Sequence, residues 1–589
     1  MGDEPIIARL DSFSSSTTEK SYLFSGIKGQ VVAYDSAEVV PALEEVQSAV
    51  DNGLFAVGYV SYEAASSFTP YLKTFENPTV PFVFFVFFAE RNQICPGADL
   101  PQISRFAENW NQTVSFEEYK RSVEKIRSYI ELGETYQVNY TYRLHAEFKG
   151  NEQGFYAGLC QAQASTFCAY LDFGRHVVAS ASPELFFRTD GSNLEARPMK
   201  GTCRRGRWLQ EDEMRRKALL SSEKDRAENV MITDMMRNDI GILAQTGSVR
   251  VPDLFGIECY PTVWQMTSTV KASLSSRTKF SDIIRALFPC ASVTGAPKVR
   301  SMEIISEIEK DPRGIYTGCI GYVAPGGDAC FSVAIRTAHI DRDLQNVNYG
   351  VGSGITWKSS LDAEYQECKD KARILYVEDE KFDLFETILL EDGNIFLFER
   401  HLDRLEFSAK FLGFNFDRSI CISAIMDCIK KKSEKRYRLR LSLSKSGEIS
   451  INVTLIPYVN MNRLTGALAT EPIDSLNRML FHKTTDRSVY EYAKTQCPNV
   501  DEVLLYNKSK ELTEFCIGNL VVSIDGQFFT PPVSCGLLPG VFREEEIHNG
   551  RLIERVLRID EISSFDQVYL INSVRRYVPV DLRVGEGNV

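Results

Sequence analysis

Ten consecutive positions, VPFVFFVFFA from Val80 to Ala89, carry no polar side chain. The run is about half the length needed to cross a bilayer. Its Val and Phe content predicts a buried strand. Other segments bring apolar residues round at helical spacing. SSEKDRAENVMITDMMRNDIG, Ser221 to Gly241, predicts one helix, and SLDAEYQECKDKARIL, Ser360 to Leu375, a second. SVTGAPKVRSMEII, Ser292 to Ile305, reads as a turn, a proline near a helix start and an amphipathic helix. FDLFETILLEDGNIFLFERHLDRLEFSAKFLGF, Phe382 to Phe414, reads as two apolar strands around EDGN, then an amphipathic helix from about Arg400. LEARPMKGTCRRG, Leu194 to Gly206, reads as a short strand entering a glycine-containing turn beside Lys200. CFSVAIRTAHI reads as a strand carrying Arg336.

The pattern breaks once. A short charged connector follows Leu375, and a new hairpin opens at Phe382, so residues 1–377 and 378–589 are expected to form separate domains. A chain of 589 residues exceeds what one hydrophobic core holds. Both halves mix strands and helices without a regular βαβ rhythm, which places them in the α/β and α+β classes.

Composition narrows the function. Hydrophobic residues at 44% and charged residues at 25% are those of a globular protein. A net charge of -12 leaves no surplus of basic side chains to neutralise phosphates, so no nucleic-acid partner is expected. The start, MGDEPIIARLDSF, lacks an apolar core of signal-peptide length, and no membrane partner is expected. Fourteen cysteines are scattered without a CxxC pair, as reduced thiols of a cytoplasmic protein would be.

Candidate chemistry begins with carboxylates. Asp225 and Glu228 stand three apart on the first predicted helix. Glu364 and Glu367 stand three apart on the second, with Lys371 one turn on. That spacing puts each pair on one face. Two such pairs suit Mg²⁺, a hard cation that takes carboxylate oxygens together with oxygens of a substrate. The same spacing suits solvated faces with i,i+4 ion pairs, and the pattern alone does not choose. YGVGSGITW predicts a glycine turn ahead of the second helix. A strand arginine such as Arg336 can clamp a carboxylate with two hydrogen bonds. Lys200, between Met199 and Gly201, is either a solvated charge or a working amine.

The blocks SASPELFFR, RPMKGTCRRG, DRAENVMITDMMRNDIG, LFPCASVTGAPKVRSMEII, YTGCIGY, VAIRT, GVGSGI and AEYQECKDKA follow one another within residues 50–375. In that order they resemble the chorismate-utilising enzymes. The resemblance implies a two-sheet α/β sandwich with the site between the sheets. It implies Mg²⁺ at Glu228 and Glu367, with Asp225 and Glu364 close by. It implies Glu184 as the general acid that expels the C4 hydroxyl of chorismate. Gln137, Thr294, Gly295, Tyr316, Arg336, the Gly352–Gly354 turn and Lys371 are then substrate-binding residues.

Lys200 separates branches of that family. Anthranilate-forming members resembling this chain have Ala there, and aminodeoxychorismate-forming members have Lys. In the second branch the amine adds at C2 while the C4 hydroxyl leaves, ammonia attacks C4, and the lysine is expelled. Such an amine must be unprotonated near neutral pH, so burial or nearby cations must lower its pKa. Arg204 and Arg205 are the neighbours in sequence. Isochorismate-forming members have a water-activating lysine where this chain has Gln137, so ammonia is the expected nucleophile. Many relatives have His where this chain has Gln265. Its absence fits a product that leaves as 4-amino-4-deoxychorismate.

The second half carries FHKTTDRSVYEYAK with Lys483, ELTEFCIGNLVV with Glu514, CGLLPGVFREEEI with a Gly-Pro turn into a helix, and Arg404 in FERHLDRLEFSAKFLGF. A lysine, a glutamate, an arginine and a helix N-terminus are the parts a pyridoxal phosphate site uses. Each alone suits an ordinary surface. Together they resemble the fold-type-IV pyridoxal phosphate enzymes, a D-aminotransferase-like fold, and HKTTDR and INSVRR look most like 4-amino-4-deoxychorismate lyase. The resemblance implies Lys483 as the cofactor lysine and Glu514 as partner of the pyridine nitrogen. Arg404 and the backbone N–H groups of Ile517, Gly518, Val541 and Phe542 would hold the phosphate. Cys516 and Phe542 stand where relatives often have Ser or Thr.

The two resemblances imply one product, 4-aminobenzoate for folate synthesis, with chorismate and ammonia as substrates. No GxCxGxQ elbow of a glutaminase occurs, so a separate glutamine amidotransferase subunit or free ammonia is expected. A homodimer through the second half is one assembly the resemblance allows. Three other readings stand beside this one: an anthranilate synthase component I, a second half that is a branched-chain or D-amino-acid transaminase, and a second half that is a non-catalytic scaffold.

Overall fold

The computed structural model describes residues 6–13, 19–76, 79–103, 109–275, 278–376, 382–430, 435–456 and 463–583. The boundary expected near residue 378 lies outside them. The chain divides into two compact units, Met1–Arg205 with Arg215–Glu380, and Gly206–Met214 with Lys381–Val589. The short excursion at Gly206–Met214 has its own anchor in the second unit: the Trp208 ring stacks on Phe481, centroids 5.2 Å apart.

In the first unit strand pairing runs on without a break. Gln137–Glu147, Asn346–Thr356, Thr337–Asp341, His176–Ser182, Phe167–Phe173, Ile7–Asp11 and Ser21–Ala33 pair in that order, each antiparallel to the next. Val83–Ile94, Phe55–Val60, Cys319–Val323, Asp328–Val333, Leu185–Asp190, Asn193–Arg197 and Val263–Ser273 continue the ladder. The apolar run at Val80 is the interior strand Val83–Ile94, buried from Val83 to Phe88 because it is paired on both sides. The ribbon folds over so that Phe84 meets Phe173, ring centroids 4.6 Å apart, with Val57, Val86, Leu171 and Val178 in the same apolar layer. A second apolar layer packs helices Val39–Asp51 and Phe280–Leu287 on one sheet. A third packs Phe116–Glu131, Glu152–Gln163 and Leu361–Ala372 on the other. The result is a helix–sheet–sheet–helix sandwich.

Two chain segments turn the corner from sheet to sheet, at Pro183–Glu184 and at Ala334–Arg336. They stay paired through it: the Ala181 N–H donates to the Arg336 carbonyl at 3.0 Å and the Val333 N–H to the Glu184 carbonyl at 3.1 Å. Arg336 is therefore not on a strand, as its apolar flanks suggested, but in a bend with φ 53° between Asp328–Val333 and Thr337–Asp341. Gly350, Gly352 and Gly354 form no turn. They lie inside the strand Asn346–Thr356, where glycine makes room for facing side chains. Lys200 and Gly201 also lie within a strand, Met199–Arg204, at a break in its register.

The second unit has two sheets. A four-stranded sheet holds Leu384–Glu391, Arg436–Leu443 and Ile449–Leu455, with helices Phe398–Leu412 and Arg418–Ile429 on its apolar face. The hairpin expected around EDGN is present, although its second strand is only Asn394–Ile395, and the helix starts at Phe398. In the larger sheet Leu464–Leu468, Glu502–Tyr506, Leu512–Phe515, Gly518–Ile524, Gln567–Asn572 and Arg576–Arg583 pair round until the last meets the first. Such closure removes open edges and encloses Leu504, Phe515, Leu520 and Leu570. Among the described residues no helix is long and apolar enough to cross a membrane. All fourteen cysteines are free thiols.

Candidate active sites

In the first unit Lys200 is the centre of a polar group drawn from five elements. Its Nζ lies 3.9 Å from Glu228 Oε2 on helix Glu223–Gly241. Ser222 caps that helix by accepting the Asp225 N–H at 3.2 Å, which fixes the turn bearing both acids. Gly354 brings the facing strand close enough that a Cβ there would stand 2.3 Å from Lys200 Nζ and 2.7 Å from Gln137 Nε2. Gln137 is fully buried, and among the described residues its side-chain Nε2 and Oε1 have no hydrogen-bond partner. Buried amides are rarely left so, and this one is ready for a polar ligand. Lys371 Nζ donates to the Gly352 carbonyl at 2.8 Å and pairs with Glu367 Oε1 at 2.7 Å. Arg336 Nη1 donates to the Lys371 carbonyl, which ties the corner to the end of helix Leu361–Ala372.

Tyr316 is held between Arg143, whose guanidinium lies 5.2 Å from the ring centroid, and Gly350, where a Cβ would meet the ring at 2.2 Å. Gly295 pairs with Val138 beside Gln137. Thr294 is buried, and its hydroxyl donates to the Cys290 and Ala291 carbonyls, so it shapes that turn rather than offering a free proton.

Charge is unevenly matched here. Burial pushes the Glu184 carboxyl up to about 7, against the hydrogen bonds it accepts from Ser292 and from the Met199 N–H. Glu184 can therefore carry a proton near neutral pH. Burial also raises Glu228, opposed by Lys200 and Lys224 and aided by Asp225 and Glu364. Burial acts on Glu367 the same way, but Lys371, Lys200 and Lys224 outweigh it and leave it below its ordinary range. Arg204 and Arg205 do not supply the cationic neighbours that sequence proximity suggested. Arg204 is exposed and pairs with Asp370, and Arg205 lies over Trp264 with its guanidinium 4.7 Å from the ring centroid. The charge beside Lys200 is a carboxylate.

Among the described residues no group of three or more His, Cys, Asp or Glu is arranged to hold a metal ion. Asp225 and Glu364 lie near enough to Glu228 to raise its carboxyl further. A set of hard oxygen donors short of a full shell fits Mg²⁺ completed by ligand oxygens.

In the second unit Lys483 follows the 3₁₀ turn Arg478–Phe481, and its carbonyl accepts the Phe385 N–H at 2.9 Å. Its Nζ lies 4.8 Å from the centroid of the Phe385 ring. Burial and then Arg404 lower its pKa to about 8, opposed by Glu386. Arg404 is gripped by Glu386, Nε to Oε1 at 2.8 Å and Nη2 to Oε2 at 2.6 Å. Its Nη1 donates to the Pro539 carbonyl at 3.0 Å. That carbonyl precedes helix Val541–His548, whose N-cap Gly540 provides no side-chain cap. The first N–H groups, at Val541 and Phe542, thus have no N-cap side chain to accept them. Cys516 and Ile517 form the tight turn between Leu512–Phe515 and Gly518–Ile524, and Gly518 opens the second strand opposite Phe515. Glu514 accepts from Tyr490 Oη at 2.9 Å, the Leu538 N–H at 3.1 Å and Asn519 Nδ2 at 3.2 Å, and burial holds it at about 7. A lysine with a lowered pKa, a buried acid, an anchored arginine and an uncapped helix start fit pyridoxal phosphate.

Glu386, Tyr490, Asn519 and Ser292 act in these sites and carry no signal in a single sequence. Each is one polar residue in an apolar or mixed segment, without the spacing that marked the acidic pairs.

A model of the chorismate binding enzyme family matches residues 10–377, and the chain belongs to that family. Residues 383–582 match the model of the class IV amino-transferases. The chain is 41% identical over 287 residues to aminodeoxychorismate synthase component 1 of Escherichia coli strain K12, covering 49% of this chain and 62% of that one. It is 40% identical over 268 residues to anthranilate synthase component 1 of Aquifex aeolicus, covering 45% of this chain and 54% of that one. It thus spans less than two thirds of either relative. The structure of anthranilate synthase component I from Streptococcus pneumoniae has the same fold, with a TM-score of 0.54 at 24% identity, covering 64% of this chain and 95% of that one.

Proposed function

We propose that the first unit converts chorismate and ammonia to 4-amino-4-deoxychorismate and water, and that the second splits this product into 4-aminobenzoate and pyruvate. The observation that carries the reading is Lys200 Nζ, placed among Glu228, Gln137 and the glycine face of Asn346–Thr356. An anthranilate-forming site needs no amine there. The similarity to aminodeoxychorismate synthase component 1 supports the same branch.

The Lys200 amine adds at C2 of chorismate, the ring electrons shift, and the C4 hydroxyl leaves as water with the proton carried by Glu184. Ammonia then bonds to C4, the electrons return, and the C2–N bond to Lys200 breaks. Gln137 offers its unpaired amide to the ring substituents, and Tyr316, Arg336 and Lys371 hold the carboxylates. Glu228 and Glu367, with Asp225 and Glu364 beside them, would hold Mg²⁺ against those carboxylates.

In the second unit Lys483 would bind pyridoxal phosphate covalently, Arg404, Ile517, Gly518, Val541 and Phe542 would hold its phosphate, and Glu514 its pyridine nitrogen. The bound group supplies an electron sink for loss of the proton at C4 and the enolpyruvyl side chain. Lys483, once free, is placed to move that proton, because its pKa near 8 lets the amine work close to neutral pH. Ammonia would come from a separate glutamine amidotransferase or from solution.

The test is to incubate the purified chain with chorismate, MgCl₂, ammonium chloride and pyridoxal phosphate, then identify products by mass. 4-Aminobenzoate and pyruvate in equal amounts are expected. Anthranilate as product would overturn the reading of Lys200, and accumulation of 4-amino-4-deoxychorismate would overturn that of the second unit.

A further inference from the structure

The strand that bears Lys200 is irregular at the lysine itself. Met199 stands opposite Thr267 and Thr202 opposite Gln265, so Lys200 and Gly201 together face the single residue Met266. Two residues against one is a β-bulge, which re-aims a side chain at the cost of ladder hydrogen bonds. Gly201 has φ 98°, and a Cβ there would stand 3.1 Å from Asp225 Cβ and 3.2 Å from Met266 Cβ. The two carbonyls of the bulge are not left to solvent. Asn229 Nδ2, from the helix that carries Glu228, donates to the Lys200 carbonyl at 3.0 Å, and Gln265 Nε2 donates to the Gly201 carbonyl at 2.9 Å. Both amides are themselves fixed. Asn229 Oδ1 accepts from Ser268 Oγ at 2.5 Å, and Gln265 Oε1 accepts from Thr202 Oγ1 at 2.7 Å.

We infer that Gln265, with Asn229, is a positioning residue for the proposed amination: the two side-chain amides lock the bulge that aims the Lys200 amine at the substrate. The physical reason is register. A shift of one residue in a strand turns every side chain to the other face. A bulge of two residues against one is one step from such a shift, and the amide donors on its two carbonyls hold it in place. Gln265 then acts on the reaction without touching the reactants.

The inference rests on the reading of Lys200 as the reacting amine, and the test separates the two. With the full chain, chorismate, MgCl₂ and ammonium chloride, kcat and KM for chorismate loss are measured for Gln265→Met, Thr202→Val and Lys200→Ala. Gln265→Met keeps side-chain length and removes both hydrogen bonds. It is expected to lower kcat about 10- to 100-fold while KM for chorismate changes less than about threefold, because a misplaced reacting group costs rate rather than affinity. Thr202→Val leaves the bond to Gly201 in place and is expected to lower kcat about threefold, with KM held. It carries the test if Gln265→Met does not fold. A circular-dichroism spectrum and thermal melt matching the parent's show that the first unit of each variant is folded. A kcat for Gln265→Met within about twofold of the parent, or a raised KM with kcat kept, overturns the positioning role while Lys200 keeps its own. Full activity in Lys200→Ala overturns both.

Discussion

Lys200 and Lys483 are two buried-site lysines with different neighbours. Lys200 is 3.9 Å from Glu228, on a strand bent by a bulge and faced by glycine. Lys483 lies above the Phe385 ring, where burial and then Arg404 lower its pKa to about 8. The difference matches the work proposed for each. A lysine that adds to a ring carbon and leaves again needs placement as well as a free amine, and glycine and side-chain amides supply the placement. A lysine that takes up an aldehyde and later moves a proton needs a free amine near neutral pH, and here burial and a nearby guanidinium supply that.

The most severe break is Lys483→Ala. Production of 4-aminobenzoate should stop while chorismate is still consumed, leaving 4-amino-4-deoxychorismate in the product mass spectrum. Lys200→Ala should do the reverse, halting chorismate loss while supplied 4-amino-4-deoxychorismate is still converted. Glu184→Gln should slow chorismate loss about 10²- to 10⁴-fold, the range for losing a general acid. Since Glu184 must be protonated to act and titrates near 7, the parent's first step should weaken as pH rises through about 7. The second unit behaves oppositely: the rate at which the apo chain takes up pyridoxal phosphate should rise through pH 8, as Lys483 loses its proton. Gly354→Ala sharpens the case for placement. Its new methyl group would overlap Lys200 Nζ, so the amine must move, and a fall of about 10²-fold in kcat is expected with unchanged thermal stability. The smallest effect is expected from Glu386→Gln, which weakens the grip on Arg404 and should lower affinity for pyridoxal phosphate about tenfold by equilibrium titration.

Periodicity made the elements around both lysines legible. The apolar run at Val80, the two acidic helices and the helix bearing Arg404 stand where their patterns place them. Close approach was not legible. Gly352 and Gly354 look like turn residues in sequence, and only the facing side chains of Thr141, Gln137 and Lys200 show why a strand needs them. Arg336 has the apolar flanks of a strand residue because strands lie on both sides of it, and nothing local marks the corner between the sheets. Arg204 and Arg205 were misleading for a related reason: neighbours in sequence point to different partners once the strand is laid down. Glu386 and Tyr490 gain their meaning from contacts 18 and 24 residues away, beyond any local pattern.

The most direct test of the division between the lysines is complementation in one tube. Lys200→Ala and Lys483→Ala chains are each incubated with chorismate, MgCl₂, ammonium chloride and pyridoxal phosphate, alone and mixed, and 4-aminobenzoate is measured. Neither variant alone should form it, and the mixture should, because one chain releases the intermediate that the other consumes. 4-Aminobenzoate from Lys483→Ala alone, or from Lys200→Ala alone, would contradict the assignment of one step to each lysine.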